Sequence, residues 1–320
     1  MKRIGVMTSG GDSPGMNAAV RAVVRCGIEK GMEVYGIYRG YEGLLDGDIR
    51  LLDRNSVGDI LHRGGTLLKT ARSERYKTPE GVKKGAEMLH TFGIEGVVVI
   101  GGDGSLHGGL ELSHHGITVM GLPATIDNDL NYTDSTIGFD TAVNTVLEAI
   151  TKLRDTSSSH DRTTVVEVMG RHCGDIALYA GIAGGAEAIL IPEVESDING
   201  ICKHIIEGRN RGKLHSIIIK AEGADISSDE LVKIIETRTG KETRLVVLGY
   251  LQRGGTPTLN DRKLATMTAA KAVDLLYEDS SSKAIGMSNG KVVAYDLAEA
   301  LEFPREFDRE MYDLIRVLSK

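Results

Sequence analysis

Two short loops carry the residue types needed to move a phosphoryl group. The first is Gly101-Gly102-Asp103-Gly104-Ser105, which follows the apolar run Val97-Val98-Val99-Ile100. Glycines let backbone N–H groups approach an anion with no Cβ in the way. The aspartate among them is a hard oxygen ligand of the kind Mg2+ takes. The second loop is Thr125-Ile126-Asp127-Asn128-Asp129, which follows Ile117–Leu122. Transfer to an alcohol needs a carboxylate that accepts the hydroxyl proton, and Asp127 is the candidate. Each loop also has a plainer reading: a βα turn with an Asx hydrogen bond, or a turn whose carboxylates cap backbone amides.

Arg162, Arg171, Arg244 and Arg253 lie in the second half of the chain, at predicted strand ends or loops. The planar guanidinium fork suits bidentate contact with phosphate. A separate basic set comprises Arg21 and Arg25, one helical turn apart, with Arg54, Arg154 and Arg209-Asn210-Arg211-Gly212-Lys213. It reads either as a solvated surface or as a second anion site.

These loops need a scaffold that ends its strands in one place. Val97–Ile100 is apolar and mostly β-branched, as expected of a parallel strand buried on both faces. Arg3–Met7 reads as another strand, followed by the glycine loop Thr8–Asn17 and a helix from about Asn17 to Lys30, which brings a helix N-terminus to that loop. Val34–Tyr38 is a strand, Gly64–Ser73 a glycine-led segment, and Pro79 to about Phe92 a helix. The strand Ile117–Leu122 is expected to stop at Pro123, with a helix over Asp140–Asp155. A second α/β set places strands at Thr163–Met169, Ala188–Pro192, Ser216–Lys220 and Arg244–Leu248. Its helices run from about Asp175, over Ile198–Gly208 and over Asp229–Thr237, and a long helix ends near Tyr277. Repeated βα units with polar loops predict a doubly wound, mainly parallel α/β fold, with a boundary near residue 139.

Bulk properties narrow the classes. Glycine is frequent (40 of 320) and proline scarce (6), which suits tight loops. Aromatic residues are 4% with no tryptophan, so a stacking platform for single-stranded nucleic acid is not expected. A net charge of −7 without a long basic run argues against nucleic acid and anionic membranes as partners. Cys26, Cys173 and Cys202 lack metal-ligand spacing and read as reduced thiols. The N-terminus enters a strand at once, and no apolar run is long enough to span a bilayer, so a cytoplasmic protein is expected. No G-x-G-x-x-G or Walker sequence follows the first strand.

The segments TSGGDSPGMNAAVRAVVR (8–25), GGDGS (101–105), TIDND (125–129), MGR (169–171), AEG (221–223) and QRGGTPT (252–258) resemble, in order and spacing, the bacterial 6-phosphofructokinase family. The resemblance runs from Met1 essentially to the C-terminus. It implies two doubly wound Rossmann-like domains whose chain crosses between them more than once. Residues 1–138 and about 251–301 would bind ATP; 139–250 and about 302–320 would bind the sugar phosphate. It also implies a homotetramer that, with Mg2+, moves the γ-phosphoryl of ATP to the 1-hydroxyl of fructose 6-phosphate.

Carried over position by position, the resemblance assigns Gly11, Arg72, Ser73, Gly102, Asp103, Gly104 and Ser105 to ATP, with Asp103 on Mg2+. Thr125, Ile126, Asp127, Met169, Gly170, Arg171, Glu222 and Tyr250 fall to the sugar phosphate. Arg253 joins them from the same subunit, and Arg162 and Arg244 from a neighbouring one. Asp127 is the base, with Arg171, Arg72 and Thr125 in the catalytic set. An effector site for ADP or phosphoenolpyruvate would use Arg21, Arg25, Arg54, Asp59, Arg154, Gly185, Glu187, Arg211, Lys213 and His215.

Gly104 stands where pyrophosphate-using relatives are expected to carry a second aspartate, and Ala124 where they carry lysine and the ATP enzymes usually glycine. Small residues at both points favour ATP. Tyr250 departs from the family's usual histidine, which implies weaker or differently shaped sugar-phosphate binding. The alternatives are a pyrophosphate-dependent enzyme, a NAD or lipid kinase sharing a GGDG-type loop, and a nucleotide sensor that has lost catalysis.

Overall fold

The structure, a computed structural model, describes residues 1–319. In chain order its elements are β1 (Arg3–Thr8), α1 (Met16–Glu29), β2 (Glu33–Ile37), α2 (Gly40–Asp46), β3 (Ile49–Leu52), α3 (Pro79–Thr91), β4 (Gly96–Gly101), α4 (Asp103–Ser113), β5 (Thr118–Thr125), β6 (Ile137–Gly138) and α5 (Phe139–Ser159). They continue with β7 (Thr163–Val168), α6 (Asp175–Gly184), β8 (Ala188–Leu190), α7 (Ile198–Asn210), β9 (Ser216–Ala221), α8 (Ser228–Thr239) and β10 (Thr243–Val247). The last are α9 (Leu259–Tyr277), β11 (Lys283–Ser288), β12 (Lys291–Asp296), α10 (Leu297–Leu301) and α11 (Arg309–Leu318). The chain divides into two compact units. One is Met1–Thr141 with Arg253–Arg305, and the other is Ala142–Gln252 with the described residues from Glu306 onward.

The first unit holds a sheet in the order β12-β11-β5-β4-β1-β2-β3, with β6 beside β5. The run β11-β5-β4-β1-β2 is parallel, and both outer pairs, β2–β3 and β11–β12, are antiparallel. Val97 to Ile100 are wholly buried. Val98 and Ile100 join one apolar cluster with residues of α1 and α9, while Val97 and Val99 join another with residues of α2, α3 and α4. The strand therefore has a helical layer on each face, which is why it carries no polar side chain. The second unit holds a wholly parallel sheet, β10-β7-β9-β8.

Most predicted strands and helices are present, and the fold is α/β with mainly parallel sheets. One strand does not end where expected. β5 runs through Pro123 to Thr125, with Pro123 opposite Gly101 of β4. On its other side β5 pairs with β11 only at Met120 and Gly121. No ladder partner there needs the N–H that proline lacks, so proline is tolerated in an otherwise central strand. Helix α5 also runs four residues past Asp155, to Ser159.

Asp261, near the start of α9, is buried and ties that helix to the β6–α5 junction. Its carboxylate accepts from the Gly138 N–H and the Thr141 N–H, each at 2.8 Å, and from the Thr141 hydroxyl at 2.5 Å. Burial raises its pKa above the ordinary aspartate value despite these bonds. Among the described residues no helix is long and apolar enough to cross a membrane.

Candidate active site

In the first unit β1 lies between β4 and β2, so the chain reverses its winding direction at β1. Open α/β sheets bind ligands at the carboxyl ends of the strands flanking such a reversal. The loops found there are Ser9–Gly15 after β1 and Gly102 leading into α4. The Ser9 N–H donates to Ile100 O at 3.0 Å, which joins the two strand ends. The Thr70 hydroxyl donates to Gly10 O at 2.7 Å, bringing the segment before Arg72 and Ser73 to the same edge.

The second acidic loop leaves the sheet next door. Because Gly101 pairs with Pro123, the Gly102–Asp103 and Thr125–Asp127 segments emerge side by side. A Cβ on Gly102 would stand 3.3 Å from Thr125 Cβ, so glycine permits this approach. Asp103 is the first residue of α4 and is exposed, with its carboxylate 3.1 Å from Nδ1 of His107 one turn on. Asp127 is only 4% exposed, and its N–H donates to Thr125 Oγ1 at 3.1 Å. Thr136 fixes the loop from behind: its hydroxyl donates to Thr125 O at 2.6 Å and its N–H to Asn128 Oδ1 at 3.0 Å. Asn128 takes the left-handed conformation, φ 56°, that asparagine tolerates well.

Five further donor-side residues have definite places. Ser105 is buried near the start of α4, and Tyr41 donates to its carbonyl at 2.6 Å. Ser73 donates to Glu42 Oε2 at 2.5 Å, and Arg75 contacts the other oxygen of that carboxylate. Arg75 and Ser73 together hold the Glu42 carboxyl below the usual range. Arg72 is exposed, and the Arg253 guanidinium lies 3.5 Å from where a Gly11 Cβ would stand. A Cβ at Gly104 would meet no atom within 4 Å.

In the second unit Met169-Gly170-Arg171 follows β7 and Glu222 follows β9. The Glu222 N–H donates to Val168 O at 2.8 Å, and the Arg171 N–H donates to Glu222 Oε1 at 3.0 Å. The structure therefore brings Arg171 and Glu222 together. Tyr250 is 79% exposed in the turn Gly249–Arg253. That turn is tied to Met169 through Gln252, wholly buried, whose Oε1 accepts from Met169 N–H at 3.2 Å.

Arg162 and Arg244 are not part of this cluster. Arg162 immediately precedes β7, and Arg244 is the second residue of β10, so both lie at the amino ends of strands. Arg171 and Glu222 lie at the carboxyl ends. Six strand residues at about 3.3 Å each separate the two edges by roughly 20 Å.

The effector candidates are also partly assembled. In the second unit, Glu187 is buried, with Lys213 Nζ at 2.7 Å and Arg154 at 3.8 Å. It also accepts from the Ile217 N–H. Arg154 donates to the carbonyls of Gly184 and Gly185, at 2.7 and 2.8 Å. His215 is half-buried and Arg211 exposed. In the first unit, Arg21 and Arg25 lie half-buried on α1, Arg54 pairs with Glu29 at 2.5 Å, and Asp59 is 3.7 Å from His62.

Sequence reasoning gave no role to Gln252, His107, Glu167 or Lys220, all of which sit in or beneath these loops. Cys173, read as an ordinary thiol, stands with Asp175 and Glu193, one donor atom of each lying within 4.8 Å of the others.

The phosphofructokinase family model matches residues 3–276. The chain is 58% identical to the ATP-dependent 6-phosphofructokinase of Clostridium botulinum over 320 residues, the whole of both chains. The solved phosphofructokinase structure from Saccharomyces cerevisiae is 39% identical with a TM-score of 0.88, covering 94% of this chain and 45% of that one. A pyrophosphate-dependent phosphofructokinase from Marinobacter aquaeolei superposes with a TM-score of 0.84 over 99% of this chain and 91% of that one, a likeness of fold at 21% identity. With the GGDGS and TIDND loops side by side and the family's pattern running the length of the sequence, the chain belongs to the phosphofructokinase family.

Proposed function

We propose that this chain is an ATP-dependent 6-phosphofructokinase, phosphorylating fructose 6-phosphate at its 1-hydroxyl to give fructose 1,6-bisphosphate. The observation that carries the reading is the strand register that sets Gly102–Ser105 beside Thr125–Asp127. It is supported by full-length identity to a relative named for that reaction. The first unit takes ATP and the second the sugar phosphate.

The exposed Asp103 carboxylate at the mouth of a glycine loop is the kind of hard donor Mg2+ takes, and Asp103 would hold it. When bound, the ion neutralises phosphate charge. The chain's own residues do the rest. Backbone N–H groups of Gly102–Ser105 and the α4 N-terminus hold the polyphosphate. As the sugar O1 bonds to the γ-phosphorus, the bond from phosphorus to the ADP oxygen breaks and the hydroxyl proton passes to Asp127. Arg171 steadies the phosphoryl as its charge spreads, and Glu222 orients the sugar. ATP rather than pyrophosphate is the donor, because Gly104 and Ala124 leave the space that a nucleoside and α-phosphate need.

The 6-phosphate is held by Arg162 and Arg244 of a neighbouring copy within a homotetramer. The support is their place roughly 20 Å from Arg171 and Glu222, at the far edge of the same sheet. Arg154, Gly185, Glu187 and Lys213 form one part of an ADP or phosphoenolpyruvate site, with Arg211 and His215 alongside. Arg21, Arg25, Arg54 and Asp59 supply the other part, and the enzyme works in the cytoplasm.

The test is the initial rate against fructose 6-phosphate, with ATP and separately with pyrophosphate, each with and without ADP. Turnover with ATP alone as donor, shifted by ADP, is the expected result. Turnover with pyrophosphate overturns the donor assignment, and none with either overturns the activity.

A further inference from the structure

Lys220 is buried to 2% exposure and has the largest side chain so deeply buried among the described residues. Lysine almost never sits so deep unless it is paired. Its Nζ lies 3.6 Å from Glu167 Oε2 and donates to Ala221 O at 3.1 Å. Glu167 Oε2 also accepts from the Ser228 hydroxyl. The partners belong to neighbouring strands: Glu167 of β7 stands opposite Lys220 of β9 in the register. An open cavity of about 500 Å³ adjoins the pair, with the carboxylates of Glu222, Asp225 and Asp229 also lining it.

The place of this pair gives it meaning. Four residues beyond Glu167 is Arg171, and two beyond Lys220 is Glu222. The strand ends between are cross-linked by the Glu222-to-Val168 and Arg171-to-Glu222 hydrogen bonds. The ion pair thus clamps β7 to β9 one step below the two side chains assigned to substrate. An ion pair with one member buried and the other part-exposed is a poor source of stability, since apolar residues of similar volume often do as well. It does specify a geometry, because the buried ammonium must find both the Glu167 carboxylate and the Ala221 carbonyl to offset its desolvation.

We infer that Lys220 is a positioning residue for the sugar-phosphate site. Through Glu167 and the Ala221 carbonyl, it fixes the strand ends that present Arg171 and Glu222. The inference deepens the proposed function and rests on it for the identity of the substrate. The lysine touches no reacting atom, so its effect falls on acceptor binding and leaves the ATP loops in the other unit alone.

The experiment compares wild type, Lys220→Met, and Lys220→Met/Glu167→Gln, the last removing the carboxylate left without its cation. Three quantities are read: KM for each substrate, thermal midpoint, and hydrogen exchange at the Arg171 and Glu222 amides. For Lys220→Met, a rise of about tenfold in fructose 6-phosphate KM is expected, the scale of losing one charge-assisted hydrogen bond, with ATP KM unchanged. Exchange at both amides should quicken. In the double variant the thermal midpoint should return towards wild type while the fructose 6-phosphate KM stays high. Recovery of KM along with the midpoint overturns the inference, as does unchanged exchange at the two amides, or a parallel rise in both KM values. Exchange needs no turnover, so an inactive wild type refutes the proposed function while leaving the positioning result to stand or fall separately.

Discussion

Arg162 and Arg171 bracket a single six-residue strand, β7, and so stand at opposite edges of one sheet. Neither side chain can cross the roughly 20 Å that the strand spans. If both serve one substrate, two chains must build the site. Arg162→Ser and Asp127→Ser should each be nearly inactive as pure proteins. After joint unfolding and refolding at equal amounts, random pairing restores both intact residues at about a quarter of the two-chain sites. Recovered activity near that fraction is expected; none at any mixing ratio removes the neighbouring-copy assignment.

Asp127→Ser alone tests the base. Removing a positioned base lowers kcat by roughly 10²–10⁴-fold. Since Asp127 lies on the Thr125 loop and not on the glycine loop, ATP KM should hold. Full activity in this variant refutes the assignment.

Tyr250 is exposed at the end of the second unit's sheet, in the turn anchored by Gln252. Its phenol carries a single hydroxyl and reaches further from the backbone than imidazole. Tyr250→His should lower fructose 6-phosphate KM by about three- to tenfold, the worth of one hydrogen bond. Steady-state kinetics decide it, and an unchanged KM sinks the idea.

Asp261 provides a pH signature. Burial raises its folded pKa above the ordinary 3.8, so the folded state holds the proton more tightly than the unfolded chain. Stability from this group is therefore present at low pH and falls as pH rises from about 4 through the folded value. Glu42 and Asp46, both depressed chiefly by Arg75, act with the opposite sign and lose their contribution as pH falls. Asp261→Asn should flatten the first dependence in urea melts followed upward from about pH 4. It should also cost about 1–3 kcal/mol at pH 7, because an amide cannot accept all three bonds and leaves a buried donor unmet. A variant as stable as wild type, with the same pH slope, would contradict this.

What the sequence reveals depends on how local the cause is. Val97–Ile100 is legible because burial on both faces excludes polar residues over four positions. Asp103 and Asp127 are legible because their neighbours are turn formers at strand ends. Segments 40–52 and 283–296 escape such reading. Helix α2 has only seven residues, and β11 carries Gly286 in its middle. Lys220 is hidden for a different reason: a lysine closing an apolar strand reads as its solvent end, and only the β7–β9 register reveals the carboxylate opposite. That Arg162 and Arg244 share an edge away from Arg171 likewise follows from strand direction in the assembled sheet.

The open space beside Gly104 bears on how the family's donors diverged. The Cβ of an aspartate there would meet no atom within 4 Å, and a glycine codon becomes an aspartate codon by one base change. A lysine at Ala124 is another matter, because the position is 1% exposed at the carboxyl end of β5, paired with Ile137 of β6. Of the two substitutions, the backbone admits the one at 104 without rearrangement, while the one at 124 needs room that the packed end of β5 does not offer.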